Sequence, residues 1–141
     1  MLALVLVAVL VYGVIFGHRS ALRRVRTLPP TQGVRAGYNV ILRLMQMRGF
    51  KFFEGELLES FAQRVDNLEL APLPMKPILP ILQKALYSDL ELAEKERAQV
   101  LEFVLALDKK MFRSVNPFKA LWYSITLRLK PHHHKMIWTF K

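Results

Sequence analysis

The densest group of side chains able to do acid–base chemistry is Glu54, Glu56 and Glu59, beside the apolar connector Phe50-Lys51-Phe52-Phe53. A catalytic acid and base drawn from such a group requires one carboxyl to be buried, so that its pKa is moved toward the working pH. Glu54 and Glu56 also have a structural reading: they stand near the start of a predicted helix, whose N-terminus favours negative charge. Glu59 then reads as a solvated side chain, and the structural reading is the one we favour. His132, His133 and His134 are the one histidine cluster. Adjacent histidines diverge on a helix and alternate on a strand, so at best two could share a metal ion. The chain has no cysteine, and no Asp or Glu follows Asp108 to complete a local tetrahedral set. A solvated basic tail is the simpler account. The missing cysteine also removes disulfides and a thiol nucleophile. No Gly-rich phosphate loop, HExxH, GxSxG or CxxC occurs. We therefore expect no catalytic residue, no metal, no cofactor and no enzyme activity.

The element around which the chain is arranged is Met1 to Gly17, MLALVLVAVLVYGVIFG, with no charge and no proline. As a helix it spans roughly 26 Å, a little short of a hydrocarbon core about 30 Å thick. A run apolar on every face is unlike a core helix. A cleaved signal peptide needs a basic stretch before the run and a small-x-small site after it, and neither is present. His18, Arg19, Arg23, Arg24 and Arg26 follow the run and no Lys or Arg precedes it. The positive-inside rule then puts the N-terminus outside and the rest in the cytoplasm. Arg19 and His18 can snorkel to make up the short span. Met1 leads straight into the apolar run, which suggests a chain cut from a longer one.

The net charge of +10 is unevenly placed. Residues 1–53 carry eight Lys or Arg and no acid, 54–108 carry eleven acids and five bases, and 109–141 carry eight bases and no acid. A basic nucleic-acid binder is one reading of that charge. Bases that begin right after an apolar span fit a membrane surface better.

After the span, Thr27-Leu28-Pro29-Pro30 predicts a break, since tandem prolines cannot continue a helix and each pushes its predecessor to extended backbone. We expect a transmembrane helix over 1–22, a basic, proline-containing linker over 23–32 with its break at 27–32, a helical domain over 33–130 and a basic aromatic tail over 131–141. Within the domain, Val34, Tyr38, Ile41, Leu42 and Met45 recur at helical spacing over 33–48, with Gly49 as the stop. Leu57, Leu58, Phe61, Ala62 and Val65 predict a second helix over about 56–68. Pro72, Pro74, Pro77 and Pro80 mark a rigid connector, for which a proline-rich ligand is the other reading. Ile78, Ile81, Leu82, Ala85 and Leu86 give a short third helix ending near Tyr87. Ser88 and Glu91 have capping-box spacing, so a fourth helix should start near Asp89 or a few residues later and run to about Arg113. Its apolar side holds Val100, Val104, Leu107 and Met111. Asn116-Pro117 opens a fifth helix over about 117–129, with Phe118, Leu121, Trp122, Ile125 and Leu129 on one face. The fold class is all-α: one N-terminal transmembrane helix followed by a small bundle of about five helices.

One stretch carries a family likeness: Arg48-Gly49-Phe50-Lys51-Phe52-Phe53-Glu54-Gly55-Glu56-Leu57-Leu58-Glu59-Ser60-Phe61-Ala62. It resembles the C-terminal domain of unknown function of bacterial transglutaminase-like membrane proteins, whose pattern places a Gly, a variable stretch, Gly-Glu-Thr-Pro, then a Glu followed by an aromatic residue and Ala. Gly49, Gly55, Glu56, Phe61 and Ala62 match that pattern, and Tyr87 matches the tyrosine ending the next helix. Leu57 stands for the family's Thr, Leu58 for its Pro, and Ser88 for the Gly after the tyrosine. The resemblance implies a last membrane helix and a cytoplasmic helical domain. The family's Cys-His-Asp machinery belongs to another domain and has no counterpart here.

The expected role is a non-catalytic, membrane-anchored cytoplasmic accessory or interaction domain in a bacterial inner membrane. Its expected partners are the lipid bilayer, anionic lipid head groups and a membrane protein or missing transglutaminase-like domain, and no nucleic acid. Arg19, Arg23, Arg24 and Arg26, with Trp138 and Phe140 of the tail, are the expected membrane-interface residues. A small enzyme using Glu54, Glu56 and Glu59, or a nucleic-acid binder, are the alternatives.

Overall fold

In the computed structural model, which describes residues 1–111 and Trp122, the apolar run is the first half of a longer helix, α1 (Leu2–Thr27). Straight-chain Leu and Arg favour helix, so nothing stops α1 until Leu28. Leu28 (φ −72°, ψ 158°) and Pro29 (φ −51°, ψ 151°) each precede a proline and are extended, as the proline ring demands. Pro30 then opens α2 (Pro30–Met47) at a first-turn position, where a missing N–H costs nothing. The expected linker over 23–32 is therefore corrected to Leu28 and Pro29 alone. The tandem prolines break one helix and start the next.

α2 ends in a Schellman motif. The Phe50 N–H reaches the Met45 carbonyl at 3.0 Å and the Gly49 N–H reaches Gln46 at 2.9 Å. Gly49 sits at φ +79°, where a side chain would strain the backbone. α3 (Leu58–Asn67) closes the same way: Leu70 N–H to Val65 at 3.2 Å and Glu69 N–H to Asp66 at 3.1 Å. Here the left-handed position is held by Glu69 at φ 48°. The Asp66 carboxylate accepts the Met75 and Lys76 amides at 2.7 and 3.1 Å, fixing the start of a 3-10 turn (Lys76–Ile78) that leads into α4 (Leu79–Tyr87). Of the four prolines expected to mark a connector, Pro72 and Pro74 do lie in the irregular stretch, whereas Pro77 is in the 3-10 turn and Pro80 in the first turn of α4.

The last described helix, α5 (Glu94–Met111), starts at the late edge of the expected range. Ser88 and Glu91 do not cap it, because the Ser88 hydroxyl accepts the Leu90 amide at 3.0 Å in a local turn. Glu96, at the third helical position, accepts the Ala93 N–H at 2.7 Å instead. The molecule is all-α with one long apolar N-terminal helix, and among the described residues there is no strand. The expected fifth bundle helix lies outside the described residues except for Trp122, which is exposed.

The directions of three helices define the architecture. Asp108 of α5 meets His18 of α1, whereas Arg97 of α5 reaches the Arg26 and Leu28 carbonyls, so α1 and α5 are antiparallel. Gly33 of α2 lies on Arg97 and Arg48 donates to the Lys110 carbonyl at 3.4 Å, so α2 runs parallel to α5. One end of the domain therefore gathers His18, Arg48, Glu69, Asp108 and Lys110, which we call the near end since α1's apolar half rises from it. The far end holds the Leu28–Pro29 turn and the start of α5. Between them lies a core of Val34, Ile41, Leu44, Phe61, Leu82, Phe103 and Leu107, all fully or almost fully buried. Leu2, Leu4, Val5, Val9, Tyr12 and Phe16 of α1 are exposed, outside this core, while Val25 of the same helix is completely buried.

Candidate functional site

Residues 48–64 build a polar arrangement around the Glu56 carboxylate. Gly55, at φ +75°, turns the chain so that the Glu56 N–H bonds the Phe53 carbonyl at 3.1 Å while the Phe53 N–H donates to Glu56 Oε2 at 2.9 Å. Arg64 of α3 grips the same carboxylate with two donors, Nε to Oε1 at 3.0 Å and Nη2 to Oε2 at 2.7 Å. Its guanidinium also donates to the Lys51 carbonyl at 2.8 Å and lies 4.2 Å from the ring centres of both Phe50 and Phe53. Phe61 is fully buried beneath, 4.9 Å from Phe52 and 5.6 Å from Phe50, and Ala62 is buried beside it. Gly55, Glu56 and Phe61 thus belong to one clasp that ties the connector to α3, with Ala62 buried next to Phe61, while Gly49 serves at the end of α2. Tyr87 is exposed at the end of α4. It is not part of the clasp; the nearby buried Tyr38 has its phenol held well above the ordinary tyrosine range, first by burial and then by Tyr87 and Glu56.

The three carboxylates considered for acid–base work have separate places. Both Glu56 oxygens are engaged by Arg64 and the Phe53 amide. Glu54 is exposed, and exposed Glu59 accepts from Gln83 Nε2 at 3.0 Å. Among the described residues no group of three or more His, Asp or Glu converges on a metal position. His132, His133 and His134, like Trp138 and Phe140, lie outside the described residues.

A second polar site joins α1 to α5. His18 Nε2 and Asp108 Oδ1 are 2.5 Å apart, and both residues are more than nine-tenths buried. His18, expected to snorkel away from the apolar span, instead turns inward to Asp108. The available signal is Asp108 itself, an acid in the stripe of Val100, Val104, Leu107 and Met111, where it needs a buried partner. Lower on the same interface, Arg97 donates to the Arg26 carbonyl and to the Leu28 carbonyl at 3.1 Å, and also holds Glu94. These bonds satisfy backbone acceptors left over at the end of α1. Gly33 makes room for them: a Cβ there would sit 2.8 Å from the Val25 carbonyl oxygen and 3.0 Å from Arg97 Cδ.

The expected interface bases fall differently from a flexible linker. Arg19, Arg23, Arg24 and Arg26 are all exposed on one continuous helix. From His18 to Arg26 that helix rises about 12 Å, so Arg26 belongs to the far end. The near end carries other exposed bases: Arg48, Lys51, Lys76, Lys109 and Lys110. Four of the eleven acids over 54–108, Asp89, Glu91, Glu94 and Glu96, stand at the far end, with Lys95 among them. Leu2–Thr27 is long and apolar enough to cross a membrane. No family model, curated protein or solved structure matches this chain.

Proposed function

We propose that the chain is a non-catalytic accessory domain held at a bacterial inner membrane by α1, with its N-terminus outside and its helical domain in the cytoplasm. The observation that carries this reading is the split character of one unbroken helix. Its first half is apolar and exposed on the domain, and its second half is cemented into the bundle through Val25, His18 and Arg97. Exposed apolar surface on that scale calls for a nonaqueous environment, and the bases that follow it give the orientation. A binding role rather than a reaction is supported by Glu56, whose carboxylate is consumed by structural bonds. The resemblance of residues 48–62 to the transglutaminase-like proteins' cytoplasmic domain suggests the partner: a transglutaminase-like domain on the same native polypeptide or on a second membrane protein.

Cysteine labelling tests the topology cleanly, because the chain has no cysteine of its own. An impermeant maleimide applied to intact cells should label Leu2→Cys, and should label Asp89→Cys only after the inner membrane is opened. Equal labelling of both in intact cells, or recovery of the chain in the soluble fraction, overturns the reading. Mass spectrometry of the cross-linked membrane complex tests the partner. Finding no Cys-His-Asp transglutaminase-like domain, either on the native chain or cross-linked to it, removes that assignment.

A further inference from the structure

We infer that the near end of the helical domain is itself a lipid-binding surface, seated on the anionic head groups of the leaflet from which α1 emerges. This rests on the reading of α1 as the membrane span. Four observations converge on it.

The first is position. His18 is the first polar residue after the apolar run, and Asp108 is bonded to it. Arg48 bonds the Lys110 carbonyl and Lys110 Nζ bonds the Glu69 carbonyl at 3.0 Å, so the ends of α2, α3 and α5 stand at the same level as His18. The second is length. A span of roughly 26 Å inside a core of about 30 Å draws that level into the head-group layer instead of leaving it in water. The third is charge. Arg19, Arg48, Lys51, Lys76 and Lys109 are exposed at this end, against exposed Glu54 and Glu69. At the opposite end Asp89, Glu91, Glu94 and Glu96 stand among Arg26, Lys95 and Arg97, so no comparable excess of bases gathers there. The fourth is an aromatic ring at the rim. Phe53 is 59% exposed in the connector beside Lys51, although its neighbours Phe50 and Phe52 pack inward on Phe61. Aromatic rings next to lysines are at home in the interfacial layer. Basic charge together with an exposed aromatic fits an anionic phospholipid surface better than a neutral one.

The test uses the full chain in vesicles, with a fluorescent probe on a single introduced cysteine at Phe53→Cys, and in a second protein at Lys51→Cys so that loss of one ring does not decide the outcome. A third protein carries the probe at the far end, on Asp89→Cys, as the control. Bromine-labelled lipids quench a probe that touches the bilayer. In phosphatidylcholine vesicles containing about a third phosphatidylglycerol, probes at positions 51 and 53 should be quenched far more strongly than the far-end probe. Each base at the surface favours the seated orientation about fivefold, so reversing two of them with Lys76→Glu and Lys109→Glu should lower the equilibrium constant for seating at least about 25-fold, with a matching fall in quenching. Salt near 1 M, where the screening length is about 3 Å, should do the same. Circular dichroism confirms that each variant is folded. If the probes at 51 and 53 are quenched no more than the far-end probe while the chain floats with the vesicles, the inference is overturned and the anchor stands. Quenching that neither salt nor the charge reversals reduce has the same meaning. A chain that fails to float overturns the anchor, and the inference with it.

Discussion

Replacing one member of the His18–Asp108 pair at a time tests whether α1 and the bundle form one cooperative unit. The pair is 2.5 Å apart, and the two side chains are only 9% and 10% exposed, so neither group is rescued by water when its partner goes. His18→Leu leaves a buried carboxylate with its charge uncompensated, a change that costs about 3–5 kcal/mol. Asp108→Leu takes from His18 one hydrogen bond without stranding a buried carboxylate, so the loss is smaller, about 1–3 kcal/mol. The histidine replacement should therefore be the more damaging of the two. The double Leu variant exchanges a buried pair for apolar contact of similar volume and should return close to the parent stability or above it. The assay is urea unfolding of the full chain in detergent micelles, followed by circular dichroism, with the four proteins compared as a double-mutant cycle. Against a total stability of about 5–15 kcal/mol for a domain, the expected shifts are easy to resolve. Single variants both within about 0.5 kcal/mol of the parent would mean that the pair is solvated, as surface pairs are, and the reasoning would fail. A double variant as unstable as the worse single one would show that the pair's shape, not its charge, holds the helices.

Gly33→Ala should destabilise by about 1–3 kcal/mol, because its Cβ meets the rigid Val25 carbonyl at 2.8 Å, even though Ala is elsewhere the better helix former by about 1 kcal/mol. Gly37→Ala should cost less, since its nearest neighbour is the Val100 side chain at 3.1 Å, and the order of the two urea midpoints checks this. Glu69→Gly should stabilise by about 1 kcal/mol by relieving a left-handed backbone at φ 48°, while keeping the carbonyl that Lys110 uses, as a rise in thermal midpoint would show. Glu96 is held below its ordinary 4.5 by the Ala93 amide and then by Lys84, so its contribution to stability is full above that value and lost as pH falls through the lower folded value. Glu96→Gln should flatten that part of the acid-side loss of thermal midpoint without changing its alkaline side.

The helices are legible in the sequence because their apolar positions repeat at 3.6 residues and their ends carry local signals. Gly49 closes α2 at the residue where the periodicity stops, and Phe61, Ala62 and Val65 give the buried face of α3. Two features are hidden for physical reasons. Pro29 and Pro30 show that a helix is interrupted, which suggests a linker, but not that Pro30 is well placed to begin the next helix. The long-range polar bonds are hidden because they join residues far apart in the chain. His18 and Asp108, Arg97 and Leu28, and Arg35 and Ala85 have no spacing that announces them. Helix-start position accounts for the glutamates from sequence alone, whereas Glu56 owes its place to Arg64, eight residues on.

The short Leu28–Pro29 turn changes what the domain can do if α1 spans a bilayer. A flexible linker of about ten residues would let the domain sample many orientations and capture partners at a distance. Here the helix that crosses the apolar layer is the same rod that carries Val25 into the core, and three separate contacts resist its moving alone. His18 is bonded to α5 at the near end, Arg97 holds the Arg26 and Leu28 carbonyls at the far end, and Gly33 seats α2 directly on the Val25 backbone. Tilting or rotating α1 must then turn the whole bundle, because packed interfaces shift as bodies rather than bending. The surface held away from the bilayer is in consequence fixed: the far end, with exposed Asp89, Leu90, Glu91 and Glu94 and with Tyr87 next to them. A partner in the aqueous phase would meet that face first, with its acids interleaved with Arg26 and Lys95, and any force applied there would reach α1 through Arg97 and Gly33.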